Sequence, residues 1–356
     1  MSSLLLWRQV TLPASPAAQL GFHDSCARVR GHALLDRRVW LSALAGAMCL
    51  LGCHPVGPVG GIRHAQASLV AVGVIQKPGL SSYVYLPVAV HGYQTTVLVD
   101  LGSTVGVLLN ESAMARFDVA EAETLDSLGI GATVEYNIPL SAASFAAAAP
   151  NGWPPVAGML GSLTMSHYDL EFDGQGHRLR VFAFPTSSTM TTGRSAWLPP
   201  GLTPADCVLL ENDPDGMHRV FLPIKVNGHP ITSMFDPGSG STNINLAAAH
   251  VLGITQRTPS VRVLAPGEAG GFSMYQGQRV WEVSRGITLT VGPHILGEVP
   301  IQIYQHLPRE RNAQDPELSL GLDAVHDRIL YVSYSTGTVC ISEPRQTAAA
   351  VGRSAN

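Results

Sequence analysis

The chain has 356 residues, 46% of them apolar and only 13% charged, against roughly 25% charged in a typical soluble domain. Its net charge of −4 and its lack of long basic runs exclude an electrostatic nucleic-acid binder, and its length is enough for two domains with buried cores. With 36 Gly, 25 Pro and 6% aromatics it favours many short strands joined by turns over long helices.

The first element in chain order is a leader. Arg37 and Arg38 precede the apolar run Val39–Leu51, which at thirteen residues is short for a bilayer span and suits the core of an export signal. Two exits follow: "LLGC", ending at Cys53, matches a lipid-attachment pattern, and "AQA" at Ala65–Ala67 matches cleavage after small residues. A buried N-terminal helix is the plainer reading. Residues 1–67 are therefore taken as a leader, and Ser68–Ser81 as a pro-segment or spacer. Cys26, Cys49 and Cys53 fall in the leader, which leaves Cys207 and Cys340 in the body, either as a disulfide or as two buried thiols.

Two segments of the body then repeat. "YLPVAVHGYQTTVLVDLGS" (Tyr85–Ser103) aligns without a gap on "FLPIKVNGHPITSMFDPGS" (Phe221–Ser239), with eight identities in nineteen columns. Each copy reads as a hairpin with Gly at its turn, Gly92 or Gly228, followed by a strand that climbs to one acid, Asp100 or Asp236. Beyond each acid a short helix is expected, at 110–117 and 245–253, with Asn110 and Asn245 as caps. A second pair of segments follows, Gly158–Phe182 and Leu318–Ser342. Each runs from an apolar-Gly step through a helix-like stretch into a hairpin. Between the halves, Pro185–Cys207 is rich in Ser, Thr, Pro and Gly and reads as a linker. The expected organisation is a first lobe at 68–184, a linker at 185–212, a second lobe at 213–344 and a tail at 345–356. The fold class is all-β, with two homologous barrel-like lobes and a cleft between them.

On these residues the chain resembles the bacterial aspartyl protease family, whose members carry two retropepsin-like or pepsin-like lobes. The resemblance covers Ser82–Pro344. It assigns the Asp of the family's Asp-Thr/Ser-Gly motif to Asp100 and Asp236, the Gly to Gly102 and Gly238, and the following hydroxyl residue to Ser103 and Ser239. It assigns the crossing segments to Met159-Leu160-Gly161 and Ser319-Leu320-Gly321. What it implies is a catalytic pair of acids that activates a water for peptide-bond hydrolysis, without metal or cofactor. Ser103 and Ser239 would brace the outer carboxylate oxygens. The implied substrate is a peptide or unfolded protein, bound by a monomer outside the cytoplasm, in the periplasm or anchored to the envelope through a lipid on Cys53.

The motif departs from the family at Leu101 and Pro237, where Thr or Ser is usual. Neither has the hydroxyl that ties the two loops together. An inactive relative that binds peptides or a protein partner is the alternative. A substrate cover is expected from the hairpin Leu128–Leu140, with Tyr136 touching substrate, and from Pro266–Gly277 in the second lobe. No metal-binding, P-loop or nucleophile-elbow motif occurs, and His218, His229 and His250 show no ligand spacing.

Overall fold

The computed structural model describes residues 67–76, 82–119, 123–144, 151–183, 197–265, 268, 279–305, 307 and 315–345. The leader motifs up to Gln66, the second-lobe segment Pro266–Gly277 apart from Glu268, and the tail beyond Arg345 lie outside them. Among the described residues no helix is long and apolar enough to cross a membrane.

The first half contains β1 (Ser68–Gln76), β2 (Tyr83–Val90), β3 (Tyr93–Val99), β4 (Val107–Asn110), α1 (Glu111–Arg116), β5 (Thr124–Ile130), β6 (Thr133–Ala143), β7 (Val156–Leu160), α2 (Ser162–Met165), β8 (Tyr168–Asp173) and β9 (Arg178–Ala183). Then follow β10 (Cys207–Leu209), β11 (Val220–Val226), β12 (His229–Phe235), β13 (Asn243–Asn245), α3 (Leu246–Val251), β14 (Val261–Val263), β15 (Trp281–Val283), β16 (Thr288–Val291), β17 (His294–Glu298), β18 (Ile301–Tyr304), β19 (Glu317–Leu320), β20 (Ile329–Ser333) and β21 (Thr338–Ile341). The expected all-β class holds.

In the first lobe β2-β3-β7-β4-β6-β5 close on themselves through the β2–β5 pairing, which makes a six-stranded barrel. In the second lobe β14-β15-β18-β13-β19-β12-β11-β16-β17 form one sheet. The duplication is visible strand by strand. Both leading hairpins turn through two residues of positive φ, His91-Gly92 (47° and 82°) and Asn227-Gly228 (49° and 84°), the turn chemistry that matches strand twist. Both short helices are capped as expected: Asn110 Oδ1 accepts the Ala113 N–H and Asn245 Oδ1 the Ala248 N–H, each at 2.9 Å. The same two side chains also donate to carbonyls at or just before the start of the crossing strands, Val156 O at 3.0 Å and Asp315 O at 2.7 Å.

The boundaries differ from expectation in three places, each because a backbone edge needed a partner. Ser68–Gln76, expected as part of a pro-segment or spacer, is the strand β1, held between β9 and β2. The end of the expected linker is β10, paired with β21. The last hairpin of the second half, β20–β21, joins the first lobe's sheet, since β20 pairs with β8 from Ile329↔Asp173 to Val332↔Leu170. The strands β10-β21-β20-β8-β9-β1 thus bridge the two halves. A T-shaped contact between Phe172 on β8 and Phe235 on β12, with centroids 5.0 Å apart, adds an aromatic pair to the join.

The open choice at Cys207 and Cys340 resolves as a disulfide between the facing residues of β10 and β21, across a sequence separation of 133. A cross-link over a loop of that length restricts the unfolded chain strongly. Replacing both cysteines by Ala is expected to lower the unfolding free energy by about 2–5 kcal/mol in urea titrations, with the native secondary structure kept in far-UV circular dichroism.

Candidate active site

Each acid sits at the top of a strand that the hydrophobic pattern commits to the core. Val97, Val99 and Leu101 are fully buried in the main apolar cluster, so period-2 alternation puts Leu98 and Asp100 on the opposite face. In the second lobe Phe235 is the fully buried residue, which places Met234 with Asp236 in the same way.

The crossing strands run where the sequence put them. β7 lies parallel to β3 and antiparallel to β4, with Leu160 beside both Val99 and Val107. β19 lies parallel to β12 and antiparallel to β13, with Leu320 beside Phe235. Each crossing strand therefore fills the gap between the two arms of an acid-bearing loop. Its carbonyl fixes the acid's backbone: Asp100 N donates to Leu160 O and Asp236 N to Leu320 O, both at 2.9 Å. The turns then close identically, with Ser103 N donating to Asp100 O and Ser239 N to Asp236 O, both at 3.0 Å.

The motif glycines bring the two turns together. A Cβ on Gly102 would lie 2.6 Å from Asp236 Cγ, and a Cβ on Gly238 would lie 2.5 Å from Asp100 Cγ. Real Cβ atoms do not approach a carboxyl that closely, so only glycine fits at either place. Each lobe's glycine is thus the floor beneath the other lobe's acid, and the two acids face one shared space. Asp100 is 6% exposed and Asp236 is half-buried. Gly161 and Gly321 meet the same limit one layer lower, with virtual Cβ atoms 2.7 Å from Ser103 O and 2.8 Å from Ser239 O.

The Ser239 hydroxyl does not brace the carboxylate as expected. Asp236 Oδ1 is held by two backbone N–H groups, Gly238 at 2.9 Å and Ser239 at 3.2 Å, while Oδ2 has Ser319 Oγ at 3.4 Å. The Ser239 hydroxyl donates to Ser241 O at 2.8 Å and accepts from Asn243 Nδ2 at 2.6 Å, so it shapes the loop and leaves carboxylate contact to its own backbone. Ser103 is buried, and its carbonyl accepts the backbone N–H and the hydroxyl of Ser162 at 2.7 and 2.9 Å. Leu101 and Pro237 are both buried, and Leu101 belongs to the main core. Apolar packing at Leu101 stands where the resemblance would place a hydroxyl lock.

Several supporting groups were missed in the sequence. Asp323 lies under the second loop and accepts from Thr242 N at 3.0 Å and Thr242 Oγ1 at 2.7 Å. Thr242 Oγ1 in turn accepts the Gly321 N–H at 3.1 Å. Burial pushes the Asp323 carboxyl above its ordinary range, against the opposing pull of the Thr242 hydrogen bonds. In the first lobe Thr164 Oγ1 does the corresponding job by donating to Gly106 O at 3.0 Å. A lone acid two residues beyond the crossing glycine was the available signal, and nothing in its spacing named a partner.

The hairpin expected as a cover in the first lobe is tethered to its neighbours. Leu128–Leu140 lies in the β5–β6 hairpin, whose turn is fastened to β1 through Ala132 N to Val70 O at 3.2 Å. Glu135 accepts from Tyr168 Oη at 2.5 Å and contacts His167 Nδ1 at 3.0 Å. These tethers make the hairpin a wall of the barrel, and Tyr136 on it points largely into solvent at 67% exposure.

Residues 222–324 match the family model for aspartyl protease, a stretch that contains Asp236, Gly238, the crossing segment and Asp323. The match covers most of the second lobe and less than a third of the chain. The first lobe shares the second's strand pairing and its acid-bearing turn. Among solved structures, a retropepsin-like aspartic protease from Rickettsia conorii is similar over 33% of this chain and 94% of that chain, at 14% identity and a TM-score of 0.25. No curated protein matches the sequence.

Beside the acid-bearing loops, a strap at 211–219 connects the lobes. Ser162 Oγ lies 2.6 Å from Met217 O, and Asp213 holds the strap through the N–H groups of Asp215, Met217 and Arg219 and through the Arg219 guanidinium at 2.8 Å. Burial pushes the Asp213 carboxyl up, but the Arg219 hydrogen bonds and those of the backbone outweigh it and bring it down from 3.8 to about 2. A depressed folded value contributes stability above the unfolded value of 3.8 that is lost as pH falls through about 2. Asp213→Asn is therefore expected to unfold at lower urea concentration than wild type at neutral pH, with the gap closing as the titration is repeated toward pH 2.

Proposed function

We propose that the chain is an aspartic endopeptidase whose catalytic acids are Asp100 and Asp236. The observation that carries this reading is the reciprocal approach of the motif glycines, each set against the opposite acid. Two carboxyls that share one space cannot both ionise at close range, so one proton is held between them. The charged member takes a proton from a water lying between the acids as its oxygen bonds to the peptide carbonyl carbon. The neutral member gives its proton to the carbonyl oxygen. The tetrahedral species then collapses, the C–N bond breaks, and a proton passes to the departing amine. No covalent enzyme intermediate is required. The Gly238 and Ser239 amides fix the plane of the Asp236 carboxyl, and the Leu160 and Leu320 carbonyls fix the two backbones from which the acids project.

The aspartyl protease match supports a peptide substrate: an extended peptide, as offered by unfolded protein, binds by strand-like main-chain hydrogen bonds in a cleft between lobes. A single chain with both acids works as a monomer. The Cys207–Cys340 disulfide supports an oxidising compartment, and the Arg37-Arg38 leader supports export to the periplasm or envelope. The mass of the mature chain distinguishes cleavage near Ala67 from lipid attachment at Cys53.

A second reading, an inactive peptide-binding relative, is favoured by one observation: Leu101 and Pro237 have no hydroxyl to tie the loops. Hydrolysis of a denatured protein across acid and neutral pH separates the two. Wild type is expected to cleave, Asp100→Asn and Asp236→Asn each to lose at least about 1,000-fold in kcat, with folding unchanged by circular dichroism. Gly238→Ala is expected to lose about 100-fold or more by displacing the Asp100 carboxyl. Absence of cleavage by wild type would leave the binding protein as the surviving reading.

A further inference from the structure

The two lobes are alike in backbone around the acids and unlike in chemistry. One row of residues runs across the three central strands of each lobe, on the face that carries the acid. In the first lobe the row is Leu98, Met159 and Leu108, matched by direct strand pairing. In the second it is Met234, Ser319 and Asn243, at the same positions in the same pairings. Both rows sit one alternation step below an acid, since Leu98 precedes Asp100 by two residues and Met234 precedes Asp236 by two. Ser319 shows that this face adjoins the reacting group, with its hydroxyl 3.4 Å from Asp236 Oδ2.

In the first lobe the row belongs to a small apolar cluster separate from the main core, in which Leu98, Met159, Tyr85 and Val156 are buried and Leu108 and Trp153 are half-buried. In the second lobe β18 extends the row with Gln302, which faces Asn243 and accepts from Tyr304 Oη at 2.7 Å. Asn243 is fully buried. Its amide nitrogen serves Ser239 Oγ and Ser241 O, while among the described residues no donor meets its Oδ1, nor does any group pair with the buried hydroxyl of Ser241. A buried amide oxygen left open costs about 1–3 kcal/mol unless something supplies a donor, which a bound polar side chain does directly or through one water.

We propose that these rows make the site asymmetric in substrate choice: the first lobe accepts an apolar side chain and the second an amide- or hydroxyl-bearing one, on opposite sides of the cleaved bond. This rests on the aspartic endopeptidase reading for the placement of the peptide. The symmetry of the backbone gives both side chains equivalent positions relative to the acids. The substituents of the rows decide what each position takes, because a site built to hydrogen-bond rejects a partner that lacks the group.

The test measures binding apart from catalysis. Asp100→Asn protein is titrated with three short peptides that differ only in the two central residues, Leu-Leu, Leu-Asn and Asn-Asn, together with the reversed Asn-Leu. One of the mixed peptides is expected to bind at least about tenfold tighter than Leu-Leu and Asn-Asn. Ser319→Met, added to this protein, installs the first-lobe residue and is expected to move the preference to Leu-Leu. Met159→Ser is expected to move it to Asn-Asn, and because it lies in the other lobe it keeps the test open if Ser319→Met fails to fold. Equal or tighter binding of Leu-Leu by the starting protein, no binding of any peptide, or unchanged preference in both variants overturns the proposal. Hydrolysis of the same peptides by wild type separates the two: cleavage without a mixed preference sinks this proposal and keeps the endopeptidase reading, and mixed-peptide binding without cleavage sinks that reading and with it the placement of the two side chains about a cleaved bond, leaving only the pairing of one apolar with one polar side chain.

Discussion

The structure depends on one steric constraint, the contact of each lobe's motif glycine with the other lobe's acid. Gly102 under Asp236 and Gly238 under Asp100 leave no room for a Cβ. Two loops can approach this closely only if both are small at the point of contact and both are rigid. Rigidity comes from the crossing strands, which bond each acid's backbone from below, and from Gly161 and Gly321, which let those strands pass against the loop carbonyls. The acids are held by main chain more than by side chains, and that is why the loss of the motif hydroxyl at Leu101 and Pro237 leaves the arrangement intact. Leu101 is instead one of the fully buried members of the core, so apolar packing anchors the loop that a hydroxyl would otherwise tie.

The same constraint explains why the halves need a common sheet. Two lobes that meet at a single point would pivot on it. β20–β21 and β10 cross to the first lobe's β8, Phe172 meets Phe235 one residue before Asp236, and the disulfide closes the far edge. The strap through Ser162 and Met217 adds a polar tie on the first loop's side. Packing one residue before Asp236 therefore reports the relative placement of the lobes, and catalytic geometry on the proposed reading is coupled to the stability of this join.

Supporting chemistry has diverged where the backbone has not. The first loop is braced by neutral hydroxyls, Ser162 and Thr164, and the second by a buried carboxyl, Asp323, on Thr242. Duplication preserved strand pairing because a slipped register would turn every apolar side chain outward. It left side chains free to change wherever a different partner satisfied the same backbone group.

The sequence by itself determined the duplication, the hairpin turns, the helix-capping asparagines, the two acids and the crossing segments, because each is written in local chemistry: positive-φ turns at Gly, caps at Asn, apolar runs of fixed length. It also singled out the β5–β6 hairpin as a hairpin, but not its tether to β1, since nothing in an alternating strand says what its turn will dock on. Only the tertiary structure decided that β1 and β10 are strands, that Cys207 meets Cys340, that Asp323 holds Thr242, and that the Ser239 hydroxyl turns to Ser241. These are contacts between distant parts of the chain. Their partners are chosen by which edge or buried group remains unsatisfied after the lobes have closed, a quantity that does not exist until the fold does.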